Sequence, residues 1–209
     1  MKRSLQVLGA VLVGWGMLAG SSWAAGPVAT QLAVPTAAAK QVLIDTGAPG
    51  GWFGYWGFDI YTEQTVGARF TVPVDSDFKL SRIGIWLMNN SDVDQAKIKL
   101  TLQTDALDEG GGESLPSGHK LEHWTAPVAT FGWTPVQQFF SSEKTPRLKA
   151  GHSYWVVAES KAKALKNAVW VTAAEGLLFT STTYQGAWQT GGEGAALTLS
   201  VDAKPVAPK

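Results

Sequence analysis

Along much of this chain, apolar and polar positions alternate with period two, the pattern of a β-strand with one buried face. Val66, Ala68, Phe70 and Val72 alternate with Gly67, Arg69 and Thr71. Ile98, Leu100 and Leu102 point one way, while Lys97, Lys99, Thr101 and Gln103 point the other. Ile83, Ile85 and Leu87 alternate with Gly84, Trp86 and Met88, so that both faces carry apolar residues. The segments Tyr154 to Ala158, Val169 to Thr172 and Leu197 to Val201 read as further strands. Turn-forming clusters separate these runs: Asp75-Ser76-Asp77, Asn89-Asn90-Ser91-Asp92, Glu109 to Gly112, Ala150-Gly151-His152 and Gly191-Gly192. One short Ala/Lys/Leu patch, Ser160 to Asn167, has helical composition but lies between strands and reads as a connection. Many short strands with Gly, Pro and Asn turns predict an all-β fold. An antiparallel β-sandwich, jelly-roll-like, is the expected arrangement.

The N-terminus follows a different pattern. Lys2 and Arg3 precede an apolar run from Leu5 to Ala19, and Ser22-Trp23-Ala24 carries small residues at its first and third positions. That order predicts a secretory signal peptide over residues 1–24. The run is too short and glycine-rich to span a bilayer, which takes about 20 apolar residues. No second stretch of spanning length follows, so no transmembrane segment is expected in the mature chain. Residues 25–40 are rich in Ala, Pro and Thr and read as a flexible leader. The domain is expected over 41–203, with a loose tail over 204–209 and loosening from Asp202 onward.

Composition narrows the function classes. Cleavage leaves 185 of the 209 residues, the size of one domain. There is no cysteine, which excludes disulfides, thiol catalysis and cysteine-ligated metals. The 17 basic residues match 17 acidic ones, and the signal takes two cations with it. No basic stripe is visible, so no nucleic-acid partner is expected. Ten tryptophans, 8 Phe and 4 Tyr stand beside 23 glycines. The aromatics concentrate in Gly50-Gly51-Trp52-Phe53-Gly54-Tyr55-Trp56-Gly57-Phe58. Such rings either cap one end of the sandwich as core or form a flat platform on which sugars stack. Trp188, beside Gly186 and Gln189 in a loop-like stretch, is the second candidate for exposure; Trp155 reads as core.

Other constellations are weaker. Asp75 with Asp77, Asp92 with Asp94, and Asp108, Glu109 and Glu113 supply hard oxygen atoms, but none begins a calcium loop of the required spacing. Turn chemistry accounts for them. His119 and His123 stand four apart, which in a strand means one face; no His-Glu-x-x-His motif accompanies them. No Gly-x-Ser-x-Gly elbow or phosphate loop occurs. No metal, cofactor or catalytic residue is therefore assigned.

Several weak motifs in order resemble a family of secreted bacterial domains called choice-of-anchor R. The strongest is Leu148-Lys149-Ala150-Gly151-His152-Ser153-Tyr154-Trp155-Val156-Val157, similar to that family's leucine, Ala-Gly turn and Tyr-Trp strand. Gly112 to Gly118 followed by Leu121 resembles its Pro-Gly loop, and Gln64 to Phe70 with Phe78 to Leu87 its opening strands. Trp170 and Trp188 stand where the family tends to place tryptophans. The resemblance covers most of the mature chain and implies a secreted or surface β-sandwich without a known catalytic role. No C-terminal sorting anchor follows Val201, which points to release rather than anchoring.

The expected function is thus a non-catalytic binding module, secreted or periplasmic. Its ligand is a polysaccharide or cell-surface glycan, with Trp52, Tyr55, Trp56 and Trp188 as contacts. The alternative is a structural extracellular or envelope protein that engages protein partners; a hydrolase ranks third.

Overall fold

A computed structural model describes residues 39–50, 56–91, 93–128, 134–184 and 186–207. Of residues 175–179, 181, 184 and 190–195 it describes the backbone alone. The expected signal peptide and nearly all of the leader lie outside the described residues. The compact unit spans Ala37–Lys209.

The described chain is all-β. Its strands are β1 (Gln41–Asp45), β2 (Gly57–Ile60), β3 (Val66–Thr71), β4 (Phe78–Asn89), β5 (Lys97–Asp105) and β6 (Pro116–Pro127). They continue with β7 (Val136–Ser141), β8 (Arg147–Leu148), β9 (Ser153–Ser160), β10 (Ala168–Tyr184), β11 (Ala187–Leu197) and β12 (Leu199–Pro205). All pairings are antiparallel, and they build two sheets of a sandwich, one of them curled into a half-barrel.

Sheet 1 centres on β4. One side of β4 pairs with β12 and then with the start of β10; the other pairs with β8 and β7. β1 continues beyond β12, and β2 flanks β10. Sheet 2 runs β11-β10-β3-β9-β5-β6. The 17-residue β10 belongs to both: Ala168 pairs in sheet 1, and Thr180 to Thr182 pair with β3 in sheet 2. A strand that changes sheets makes a corner of the sandwich. The other side is joined by side chains. Trp124 Nε1 donates to the Ser141 carbonyl at 2.8 Å, and Glu122 accepts from the Ser142 hydroxyl and from the Glu143 and Lys144 amides.

The period-two reading holds at the centre. Val66, Ala68, Phe70, Ile83, Ile85, Leu87, Ile98, Leu100, Leu102, Val156, Leu199 and Val201 meet in one core, and Trp170 is fully buried with them. Where the two-sided strand β4 turns its other face outward, Met88 packs with Val169, Val171 and Trp86. Tyr154 stacks on Phe70 with centroids 5.9 Å apart, and its hydroxyl accepts from the Lys149 amide at 2.8 Å. Burial of that phenol raises its pKa.

Three local expectations are corrected. Gly191-Gly192 is not a turn but lies inside β11; the hairpin turns at Gly186, whose φ is +82°. The β10–β11 register shifts between Phe179 and Ser181, opposite this pair, and glycines suit such a bulge. The chain does not loosen at Asp202: β12 continues to Pro205, and the Val206 amide donates to the Asp77 carbonyl at 2.8 Å. Finally, a bulge in β6 pairs Lys120 with Gln103 but Glu122 with Leu102. Lys120, rather than His119, therefore shares a face with His123. Ser160 to Asn167 forms no helix; it is the turn between β9 and β10, as a connection should be.

Candidate functional site

The four aromatic residues singled out from the sequence fall in three situations. Trp52 and Tyr55 lie outside the described residues. Trp56 stands at the head of β2 with 73% of its surface exposed. Its backbone is fixed, because its carbonyl accepts from the Thr172 amide at 2.7 Å and from the Thr172 hydroxyl at 3.0 Å. Gly57 permits this close approach, since a Cβ there would come within 2.4 Å of the Trp170 carbonyl oxygen. The indole is mostly exposed while the chain beneath it is held. Trp188 is half-buried on β11, opposite Thr183. Its ring edge lies 3.5 Å from where a Gly67 Cβ would stand, and Trp155 reaches the same point at 3.2 Å. Gly67 is thus a floor for two indoles. Trp56 and Trp188 are joined through Thr172 and Thr183 of β10, eleven residues apart, a strand contour of about 36 Å. They mark two places rather than one row of a strand.

Trp155 is core-like, as expected, but on the outer face of sheet 2. It is fully buried, and its Nε1 donates to Asp105 Oδ2 at 2.8 Å. Asp105, 1% exposed, also accepts from the Ser114 hydroxyl and the Leu107 amide, and Arg69 donates to Ser114 at 2.6 Å. Thr101 and Gln103, read from alternation as solvent-facing, are buried beside them; Gln103 bonds Thr101 and the Gly118 amide. Alternation assigns faces but not what lies over a face, so burial here was illegible. Asp105 is fully engaged by donors and serves as a strut for the β5–β6 hairpin.

Glu109, Asp108, Asp77 and Asp94, with His119 and His152, are engaged by partners near turns. Hydrogen bonds from Thr104 and His119 hold the Glu109 carboxyl below its ordinary range. Asp108 accepts from the Ser153 amide at 2.7 Å and lies 3.4 Å from His152 Nδ1. The Ala150 amide and the Arg147 guanidinium hold Asp77 low, and Lys166 at 2.9 Å does the same for Asp94. Among the described residues no group of three or more His, Asp or Glu is placed to hold a metal.

A further aromatic surface lies on the outer face of sheet 1, and the sequence reading missed it. Phe139 of β7 pairs with Gly84 of β4 and is 48% exposed. Its ring occupies the space that a Gly84 side chain would fill, with Cε1 2.8 Å from that Cβ position. The Arg82 guanidinium sits 4.2 Å from the ring centroid and pairs with Asp202 at 2.6 Å. In the next row, half-buried Trp86 faces Gln137, and the Trp86 amide donates to the Thr198 hydroxyl oxygen at 3.1 Å. Ser200 completes the Gly84 row from β12. Two rings thus alternate with hydroxyl, amide and charged groups along a strand face. The alternation of Gly84, Trp86 and Met88 with Ile83, Ile85 and Leu87 was the available signal; Phe139 gave none, because its own strand, β7, was not predicted.

Neither protein-family models nor curated proteins give a match to this chain. No described helix is long and apolar enough to cross a membrane.

Proposed function

We propose that this chain is a non-catalytic, exported β-sandwich module that binds carbohydrate outside the cytoplasm, with the resemblance to choice-of-anchor R domains as its family. The observation that carries this reading is the solvent-facing Trp56 indole on an immobilised backbone. An apolar side chain of that size, mostly in water and held by hydrogen bonds beneath, is pre-organised to stack on a flat apolar ligand face. Phe139 and Trp86 support the reading from sheet 1, since they add rings flanked by groups that match sugar hydroxyls. Trp188 supplies a further ring on sheet 2, and Trp52 and Tyr55 adjoin Trp56 in the chain.

Titration of soluble glycans followed by tryptophan fluorescence tests this. Binding should saturate and quench or shift the emission. Trp56→Ala should weaken it at least tenfold while thermal stability changes by less than about 0.5 kcal/mol, as for an exposed side chain. No response to any glycan, or full binding by Trp56→Ala and Phe139→Ala together, would overturn it.

A further inference from the structure

Below the Phe139 ring, the outer face of sheet 1 changes character. Phe78 and Leu148 point into the core, so their strand neighbours Lys79 and Arg147 point out. Lys79 pairs directly with Arg147 of β8 on one side and with Lys204 of β12 on the other. Three cations therefore stand in one cross-strand row. Like charges directly opposed destabilise a sheet; Asp77 offsets the Arg147 end of this row. Lys40 approaches from beyond β12, 3.9 Å from Asp202.

Two of the acids nearby are engaged. Asp202 is held by Arg82 at 2.6 Å, and Asp77 by Arg147 at 2.6 Å. Glu143 is exposed in the β7–β8 turn. Lys79 and Lys204 have no ion pair among the described residues. Lys40, Lys79 and Lys204 line a hollow of about 390 Å³ together with the hydroxyl-bearing Ser81, Ser142 and Thr145. Thr145 holds φ at +44°, a left-handed conformation that a β-branched residue rarely adopts. Its amide donates to the Ser142 hydroxyl oxygen at 2.9 Å, and Glu122 holds the same turn. Strain of this kind clusters at ligand clamps.

We propose that this hollow is an anion-binding subsite and that the ligand of the sheet 1 face is an acidic polysaccharide. Its carboxylate or sulfate groups would lie on Lys40, Lys79 and Lys204, and its sugar rings on Phe139 and Trp86. The two parts share one strand face: a bulge at Ser81, where Arg82 pairs with Asp202 but Leu80 with Ala203, keeps Lys79 on the side of Trp86, seven residues or about 23 Å along β4. Continuity with the rings favours a saccharide over a lipid headgroup, and a near-neutral chain disfavours nucleic acid. This inference rests on the carbohydrate reading.

The test is calorimetric titration of the protein with dextran, dextran sulfate and polygalacturonate, at low and high salt, with phosphatidylglycerol vesicles as a fourth arm. Dextran sulfate and polygalacturonate should bind at least tenfold tighter than dextran, and salt should erase the difference. Lys79→Glu/Lys204→Glu should weaken the acidic probes at least tenfold and leave dextran unchanged. Its melting temperature should change little, because the substitution turns the Lys79–Arg147 pair into one of opposite charge while 79 and 204 remain a like-charge pair. Phe139→Ala should weaken both acidic probes about tenfold. Equal affinity for dextran and its sulfate would overturn the inference while the carbohydrate reading stands. Unchanged acidic binding by the charge-reversed protein, or vesicle binding without glycan binding, would also overturn it. Failure of every glycan would remove both.

Discussion

Trp155→Phe probes the buried strut on sheet 2. The indole is fully buried and donates to a carboxylate that is itself 1% exposed. Phenylalanine fills part of the site but supplies no donor. Losing a hydrogen bond to a charged group costs about 1.5–3 kcal/mol. The lost ring area, at about 25 cal/mol per Å², adds roughly 1.5 kcal/mol. Together the change is about 3–4 kcal/mol. For a domain of this size each kcal/mol moves the melting temperature by about 2–4 °C, so a fall near 10 °C is expected. Calorimetry gives the shift, and urea unfolding gives the free energy if the transition is two-state. Asp105→Asn, alone and combined with Trp155→Phe, closes a double-mutant cycle whose coupling should exceed about 1 kcal/mol. A loss below 1 kcal/mol with no coupling would refute the strut, because it would mean that the indole and carboxylate do not meet in a water-excluded place.

Further outcomes follow from the same coordinates. Asp77 is held below its ordinary value of 3.8 by the Ala150 amide and Arg147. Its contribution to stability is therefore present above the unfolded value and is lost as pH falls through the folded one, below about pH 4. Asp77→Asn should flatten the acid limb of a stability–pH profile relative to wild type. Tyr154→Phe keeps the stack on Phe70 but strands the Lys149 amide, a loss of about 1 kcal/mol in urea unfolding. Gly84→Ala places a methyl 2.4 Å from Ser200 Oγ and 2.8 Å from the Phe139 ring and should displace both. Glycan affinity should fall further than for Gly67→Ala, which touches Trp188 on the other sheet; the reverse order would move the main binding face to sheet 2.

The core was legible because a single rule governs it. Ile98, Leu100 and Leu102 alternate with polar residues, and one buried face forces that order. Composition made the second half of β10 opaque: Thr180, Ser181 and Thr182 carry little apolar signal, so only Val169 to Thr172 of this 17-residue element read as strand. β7 was invisible for a related reason. It is short, only one face meets the core, and Phe139 points outward against a glycine. The candidate site shows the same limit. Trp56 announced itself by local aromatic density, whereas the row of Arg147, Lys79 and Lys204 comes from three distant parts of the chain. Only strand pairing brings those charges side by side.

The account stands on the register of the central strands β3, β9 and β5. Isotope-edited NOESY spectra report cross-strand neighbours directly. Ala158 should show Leu100 on one side and Val66 on the other, and Val156 should show Leu102 and Ala68. A one-residue slip would set Ala158 against Lys99 or Thr101, turning lysine and threonine toward the interior, and would contradict the sandwich and both binding faces built upon it.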